Sequence, residues 1–248
     1  MDRIGYEEEQ TVSYFQTDSS RSMSPSALLS CLQDCAVRHS DSIGFTLDYM
    51  EEHKRGWAVT NWHLRLYRMP SYGEKINIQT WSSRCRRFQA ERAYYMFDEK
   101  GNKLLDGASR WMFMDLEARK PANVPQEMAE AFVTKQEPAI ENEKFFMPKE
   151  AEGEPVCDRE LTVTRRDMDS NGHANNVKYL EWIMDDVPDA IYDMHLRDIK
   201  MVYRKECVRG DTVRIKTYVK DTEEGKEVFS LLWEGETLMA EALTLWQE

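Results

Sequence analysis

The segment 165–182, RRDMDSNGHANNVKYLEW, carries the densest group of side chains that could do chemistry. A histidine can take and give a proton near neutral pH, and a neighbouring carboxylate or amide can orient it. The same composition also occurs in turns that are rich in Asx residues and helix caps. The polar side chains concerned, all within ten residues, are Asp167, Asp169, Asn171, His173, Asn175 and Asn176.

An amphipathic helix is predicted to begin near Asn175, directly after this polar segment. A helix N-terminus offers unpaired N–H groups and a partial positive charge, which can stabilise an oxyanion formed by attack on a carbonyl carbon. Pro188 is predicted to help end the helix. Its apolar stripe comprises Val177, Leu180, Ile183, Met184 and Val187.

The polar segment lies in the second copy of an internal repeat. Residues 67–81, YRMPSYGEKINIQTW, align with 203–218, YRKECVRGDTVRIKTY, if the second copy has a one-residue insertion. A helix is also predicted in the first half, with Ser24 as N-cap and proline next. The first half has SSRSMSPSAL where the second has its polar segment, so only the second half is predicted to carry chemistry. The first helix has the apolar stripe Leu28, Cys31, Leu32, Cys35 and Ala36.

Strand patterns surround each predicted helix. Each half opens with a short predicted strand, near 8–15 in the first half and near 159–165 in the second. The order strand, long helix and four further strands predicts an α+β fold in which one long helix packs against a curved antiparallel sheet. The predicted organisation is an N-terminal domain at 1–116, a linker at 117–154 with a short helix near 126–133, and a C-terminal domain at 155–248. The other strands are predicted at 58–66, 76–80, 88–97 and 104–114, then at 196–204, 212–220, 226–234 and 237–246.

The motif DxNxHxNNVKY, from Asp169 to Tyr179, resembles the signature of the acyl-ACP thioesterases of plants and bacteria. YRKEC at 203–207 resembles the family's Tyr-Arg-Arg-Glu-Cys stretch. Trp57–Thr60 and Arg68–Glu74 resemble its Trp-Val-Val-Thr and Arg-Tyr-Pro-x-x-Gly-Asp segments, so the resemblance covers nearly the whole chain. It implies a tandem hot-dog fold, with two units forming one pseudo-dimer. It also implies hydrolysis of fatty acyl-ACP to free fatty acid and acyl carrier protein, which ends fatty acid synthesis.

The resemblance implies an active site of Asp169, Asn171, His173 and Glu206, with Cys207 beside them. In one mechanism Cys207 is the nucleophile, His173 its base and Asn171 the orienting group. In the other, a carboxylate and His173 activate water or form a transient anhydride, while Asn171 helps to hold the substrate carbonyl; Asp169 orients His173 or shares the role of base. We favour the second mechanism because adjacent residues of a strand, as we expect Glu206 and Cys207 to be, point to opposite faces.

The acyl chain is expected to bind in an apolar tunnel of the first half. Acyl carrier protein is acidic, as the resemblance implies, and the chain itself carries a net charge of −12, so docking would need local positive charge. Candidate tunnel residues are Leu28, Leu32, Trp57, Val59, Trp62 and Leu64. Candidate docking residues are Arg84, Arg86, Arg87, Arg165, Arg166, Arg204 and Lys205.

Composition limits the remaining possibilities. The chain of 248 residues is 41% hydrophobic and 31% charged, as is typical of a folded globular protein, and its acidic charge argues against broad nucleic-acid binding. Five cysteines without metal-type spacing predict reduced thiols, no metal site and a cytoplasmic location. No apolar run approaches a membrane span, and the N-terminal segment MDRIGYEEEQ resembles neither a signal nor a transit peptide.

No cofactor is expected beyond the 4′-phosphopantetheine that arrives on acyl carrier protein, and homodimerisation stays open. Two alternative functions also stay open. An acyl-CoA thioesterase would need basic groups placed for the nucleotide, and a non-catalytic acyl-thioester-binding hot-dog module acting as a regulator would usually need a DNA-binding segment.

Overall fold

The computed structural model of the protein describes residues 5–132, 134, 137–140, 147–148 and 150–248. The chain forms two compact units, the first from Met1–Trp62 and Met69–Glu143, the second from His63–Arg68 and Lys144–Glu248. The pairing of these units into one pseudo-dimer stays a prediction. No helix among the described residues is both long enough and apolar enough to cross a membrane.

Unit 1 combines one long helix with a sheet whose strand order is β1-β3-β4-β5-β2, and the short strand β6 pairs with β5. The helix α1 begins as the sequence predicts, because the Ser24 hydroxyl accepts a hydrogen bond from the Ala27 N–H at 3.2 Å and Pro25 follows the cap. The elements are β1 Tyr6–Thr11, α1 Pro25–Ser42, α2 Leu47–Glu52, β2 Arg55–Leu66, β3 Lys75–Arg86, β4 Gln89–Asp98, β5 Lys103–Asp115, β6 Lys120–Pro121 and α3 Gln126–Phe132. The residues of β2 from His63 onward are part of unit 2.

Unit 2 repeats this plan with the strand order β8-β11-β10-β9-β7. The first strand of each unit pairs antiparallel with the strand that begins inside the repeated segment, 67–81 or 203–218. The register runs from Tyr6↔Thr80 to Thr11↔Lys75 in unit 1. It runs from Cys157↔Thr217 to Thr162↔Thr212 in unit 2. The predicted repeat is therefore present in the strand register. The elements are β7 Cys157–Thr162, α4 Asn176–Met184, α5 Asp189–Tyr192, β8 His195–Tyr203, β9 Thr212–Thr222, β10 Gly225–Glu234 and β11 Thr237–Gln247.

The second long helix is shorter than its apolar stripe predicts, since α4 ends at Met184 and not near Pro188. Two aspartates follow, and negative charge is unfavourable at a helix C-terminus. Asp186 instead pairs with Arg159, whose guanidinium also donates to the Trp182 carbonyl at 2.7 Å. This arginine satisfies a carbonyl in the last turn of the helix, and the separate short helix α5 follows Pro188.

The segment 117–154, predicted as a linker with a short helix near 126–133, contains the helix α3 at Gln126–Phe132, and its first part packs on unit 1. The Ala122 N–H donates to the Phe113 carbonyl at 2.9 Å, and Met128 and Phe132 of α3 are buried with Met50 and Phe113. These apolar side chains complete a core that also holds α2, a helix that the sequence patterns did not predict. Within the predicted linker, residues 133, 135–136, 141–146 and 149 lie outside the described residues.

Candidate active site

The polar segment of unit 2 begins with a 3-10 turn at Arg165–Asp167. The buried Asp167 carboxylate accepts hydrogen bonds from the N–H of Thr164 at 2.7 Å and from its hydroxyl at 2.6 Å. The Asp167 carbonyl accepts from the Asn175 N–H at 2.8 Å. Asp167 thus shapes the turn that leads to the site.

Asp169 closes the next loop through its backbone and its carboxylate. Its Oδ1 atom accepts from the N–H groups of Asn171 at 2.8 Å and His173 at 3.2 Å, and its own N–H donates to the His173 carbonyl at 2.8 Å. Gly172 has a φ of +80°, which glycine adopts readily. The carboxylate therefore orients His173 through the main chain, and Asn171 lies exposed on the same loop.

The imidazole of His173 meets the carboxylate of Glu206, with 3.2 Å between Nε2 and Oε2. The side chain of His173 is 26% exposed and that of Glu206 is 51% exposed. An imidazole next to a carboxylate can move protons, and here water and a substrate can reach both groups. This pair is the arrangement in the described structure that best fits acid–base chemistry.

Glu206 lies in a loop, and the expectation that it lies on a strand with Cys207 is wrong. Strand β8 ends at Tyr203, after which the N–H of Lys205 donates to the Met239 carbonyl at 3.1 Å. The Cys207 carbonyl accepts from the Ala174 N–H at 2.8 Å, which joins this loop to the residue after His173. Two chain segments far apart in sequence are thereby held side by side.

The Cys207 side chain faces the interior and is fully buried, whereas that of Glu206 is exposed. Burial raises the pKa of its thiol to about 11, so the thiol is neutral near pH 7. A nucleophilic cysteine needs its thiolate, and reactive cysteines are partly exposed. The geometry therefore offers no support for the arrangement in which Cys207 attacks and His173 is its base.

Asn175 and Asn176 serve the start of α4. The Asn175 Oδ1 atom accepts from the Val177 N–H at 3.0 Å, and the Asn176 carbonyl accepts from the Tyr203 hydroxyl at 2.9 Å. The Asn175 side chain thus caps the helix, whereas the bond at Asn176 involves its main chain and not its side-chain amide. The sequence patterns did not predict a role for the Tyr179 hydroxyl, which accepts a hydrogen bond from the Cys207 N–H at 2.8 Å. The sequence feature that could have pointed to it is a tyrosine at the helix position where the first half has Leu28.

The same loop exists in unit 1 without the reactive side chains. The Asp18 N–H donates to the Ser22 carbonyl at 2.9 Å, and the Ser20 N–H donates to Asp18 Oδ1 at 2.9 Å. The Met23 N–H donates to the Pro70 carbonyl at 2.8 Å, as Ala174 does to Cys207. In this register Ser22 occupies the position of His173 and Met69 that of Glu206, so only unit 2 holds the pair.

The side chains proposed to line the acyl tunnel are interior residues. Trp57 is partly buried and the other five are buried, which ordinary core packing also explains, so their tunnel role stays a prediction. The buried residues are Leu28, Leu32, Val59, Trp62 and Leu64. Among the described residues no group of three or more His, Cys, Asp or Glu side chains lies close enough together to hold a metal ion.

The candidate docking residues are on the surface, but their charges are not equally available. Arg204 pairs with Glu241, with 2.9 Å between Nε and Oε1, so its positive charge is compensated. The other candidates are exposed: Arg84, Arg86 and Arg87 in unit 1, and Arg165, Arg166 and Lys205 in unit 2.

Comparison with known proteins covers both units. Residues 4–132 match the family model of the acyl-ACP thioesterase N-terminal domain, and residues 151–248 match that of the C-terminal domain. The chloroplastic oleoyl-acyl carrier protein thioesterase 1 of Arabidopsis thaliana is 26% identical over 228 residues, which are 86% of this chain and 63% of that protein. The chain thus spans less than two thirds of the length of this relative.

Solved structures share the fold. The 12:0-ACP thioesterase from Umbellularia californica has a TM-score of 0.88 at 24% identity, over 98% of this chain and 93% of that chain. An acyl-ACP thioesterase from Bacteroides thetaiotaomicron has a TM-score of 0.85 at 23% identity, over 98% and 97%. These likenesses confirm the α+β tandem hot-dog fold. With both of its units matched by the family models, the chain belongs to the acyl-ACP thioesterase family.

Proposed function

We propose that the protein hydrolyses the thioester of a fatty acyl-ACP and releases a free fatty acid and acyl carrier protein. The observation that carries this proposal is the 3.2 Å contact between His173 and Glu206 at an accessible loop before α4, in a chain of this family. The reaction needs no resident cofactor, because the phosphopantetheine thiol comes with the substrate.

In the proposed mechanism, the His173–Glu206 pair takes a proton from water as the water oxygen attacks the carbonyl carbon. The bond between carbon and sulfur then breaks, and the proton passes to the departing sulfur, which leaves as the phosphopantetheine thiol. The exposed Asn171 amide is the donor that we assign to the carbonyl oxygen.

The other route begins with attack by the Glu206 carboxylate on the carbonyl carbon. The carbon–sulfur bond breaks, the sulfur takes a proton from His173 and leaves as the phosphopantetheine thiol, and water then hydrolyses the transient anhydride between the acyl group and Glu206. A single turnover in water enriched in ¹⁸O tests for the anhydride route. Direct attack by water and attack of water on the acyl carbon of the anhydride both place the label in the fatty acid. Attack of water at the Glu206 carbon of the anhydride leaves label in Glu206, which mass spectrometry of the peptide detects and which would show the anhydride route.

The His173→Ala variant tests the assignment of the base. We expect kcat to fall by about 10²–10⁴-fold with the fold retained, because this is what a positioned acid–base group contributes. His195→Ala is the matched control, since His195 is an exposed histidine of the same unit on β8. Full activity of His173→Ala would show that the site is elsewhere.

We propose acyl carrier protein as the partner, in a reducing compartment such as the cytoplasm, in line with five free cysteines. The exposed Arg165, Arg166 and Lys205 lie in the same unit as the His173–Glu206 pair and can attract an acidic protein. A variant with Arg165→Glu and Arg166→Glu should have a higher KM for acyl-ACP, with kcat unchanged.

The substrate class is tested with a panel of purified acyl-ACPs and the matched acyl-CoAs. We expect faster release from acyl carrier protein, with an optimum of chain length. Equal or faster hydrolysis of the CoA esters would make the protein a general acyl-CoA thioesterase. Tight binding without hydrolysis of either would favour an acyl-thioester-binding module.

A further inference from the structure

The segment that carries Glu206 is bound by a residue of the helix α4. Tyr179 lies in α4, its side chain is 2% exposed, and its hydroxyl accepts a hydrogen bond from the Cys207 N–H at 2.8 Å. The same hydroxyl approaches the Lys205 carbonyl at 3.5 Å, a long and weak contact. The Tyr179 hydroxyl therefore touches the main chain on both sides of Glu206.

A second bond ties this segment to the loop of His173. The Cys207 carbonyl accepts from the Ala174 N–H at 2.8 Å, so the peptide groups before and after the Cys207 α-carbon are both bound. Glu206 precedes this anchored residue directly. Beyond the end of β8 at Tyr203, the last bonds to β11 run from the N–H groups of Arg204 and Lys205 to the Met239 carbonyl. From Glu206 onward, the bonds at Cys207 hold the main chain that carries the carboxylate.

Unit 1 provides an internal comparison for the two bonds. The bond from Ala174 has its counterpart there in the bond from the Met23 N–H to the Pro70 carbonyl, at 2.8 Å. The bond from Cys207 to Tyr179 has none, because Leu28 stands at the helix position of Tyr179 and has no hydroxyl. Pro70 stands at the position of Cys207 and has no N–H. Donor and acceptor are thus both missing in the unit that lacks the His–Glu pair.

We propose that Tyr179 is a positioning residue, whose hydroxyl holds the Lys205–Cys207 main chain so that the Glu206 carboxylate meets His173. This inference rests on the proposed function for its effect on rate. It also gives Cys207 a role that does not involve the thiol, since the Cys207 N–H donates to Tyr179.

The Tyr179→Phe variant removes only the hydroxyl. We expect kcat for acyl-ACP to fall by about 10- to 100-fold with KM within about twofold, because a small displacement of a catalytic group costs rate more than binding. Tyr94→Phe is the control, since Tyr94 is a buried tyrosine of unit 1 that loses a hydroxyl contact to Ser109 at 3.2 Å. Its kcat should stay within about twofold of the wild type.

A double-mutant cycle with Glu206→Gln separates positioning from a general structural effect. If Tyr179 acts through Glu206, then Tyr179→Phe has little further effect on kcat in the Glu206→Gln background. Losses that multiply in the double variant, or an unchanged kcat in Tyr179→Phe alone, would overturn the proposal.

Amide hydrogen exchange supplies a readout that does not need activity. In the segment 204–208, followed by mass spectrometry, Tyr179→Phe should exchange at least about tenfold faster than the wild type, while Tyr94→Phe leaves the segment unchanged. Unchanged exchange in Tyr179→Phe would overturn the proposal even if the wild type hydrolysed no thioester. If the wild type hydrolyses no thioester but Tyr179→Phe still exchanges faster, the proposed function would be contradicted, while the positioning role of Tyr179 would be supported.

Discussion

Glu206 and Cys207 are neighbours in the chain, but their side chains lie in opposite environments. Glu206 is half exposed and touches His173, whereas Cys207 is buried and its thiol has a pKa raised to about 11 by desolvation. The Glu206 carboxylate stays in contact with water, while a thiolate at the buried position of Cys207 would have to lose its hydration. The preference for a carboxylate–histidine mechanism rests on this difference.

The Cys207→Ala variant should keep its activity. The substitution leaves the N–H that Tyr179 accepts, so we expect kcat within about threefold of the wild type and a modest loss of stability from the buried cavity. Steady-state kinetics on acyl-ACP and a denaturant titration measure the two effects. A loss of about 10³-fold in kcat by a folded variant would restore the cysteine mechanism.

At the scale of the element, the loops before α1 and α4 have several equivalent main-chain hydrogen bonds. Asp18 in unit 1 and Asp169 in unit 2 each accept, through Oδ1, the main-chain N–H two residues further on, and both donate their own N–H across the loop. The bond from the His173 N–H to Asp169 has no counterpart at Asp18, because the Ser22 N–H donates to Ser20 Oγ at 3.3 Å. Since Asp18 forms the shared bonds where no reactive pair exists, those bonds are explained by the loop itself. We therefore expect Asp169 to present His173 and its charge to have no separate chemical task.

Replacements of the two aspartates test this equivalence. Asp169→Asn keeps an oxygen acceptor and should retain kcat within about tenfold, while Asp169→Ala should lose more, since the loop of His173 is released. Asp18→Ala should cost a similar free energy of unfolding, about 1–2 kcal/mol, with kcat unchanged. If Asp169→Asn were as damaging to kcat as Asp169→Ala, the carboxylate would have to act as a base.

At the scale of the whole molecule, buried thiols make stability sensitive to alkaline pH, and they lie in both units: Cys31 and Cys35 in unit 1 and Cys207 in unit 2. Burial raises the pKa to about 11 for Cys31 and to about 12 for Cys35, against an ordinary value of 9.0. The unfolded chain therefore loses these protons first. Their contribution to the free energy of unfolding is complete below pH 9 and is lost as pH rises towards the folded-state values.

The Cys35→Ala variant measures this effect. Between pH 7.5 and pH 9.5, the free energy of unfolding of the wild type should fall by about 1 kcal/mol more than that of the variant, because one thiol with a raised pKa is gone. Denaturant titrations at several pH values give the two slopes. Cys157→Ala is the control, as Cys157 is less buried and its slope should differ less from the wild type; equal slopes for all three proteins would contradict the prediction.

The sequence by itself determined the repeat, the order of the long helix and the main strands in each half, and the polar segment to which we assign the site. Local patterns predict these features, because apolar periodicity, the Ser24-Pro25 cap and the glycine turns each depend on only a few neighbouring residues. The resemblance added Glu206 to the site of His173, a pairing that no local pattern could predict.

Only the tertiary structure decided which side chains meet. Glu206 reaches His173, Cys207 turns inward to Tyr179, and the segment with Met128 and Phe132 packs on unit 1 where a linker was expected. Each outcome depends on burial and on hydrogen bonds between segments far apart in the chain. Periodicity and spacing carry no information on such pairings, because the free energy that selects them arises when the segments pack together.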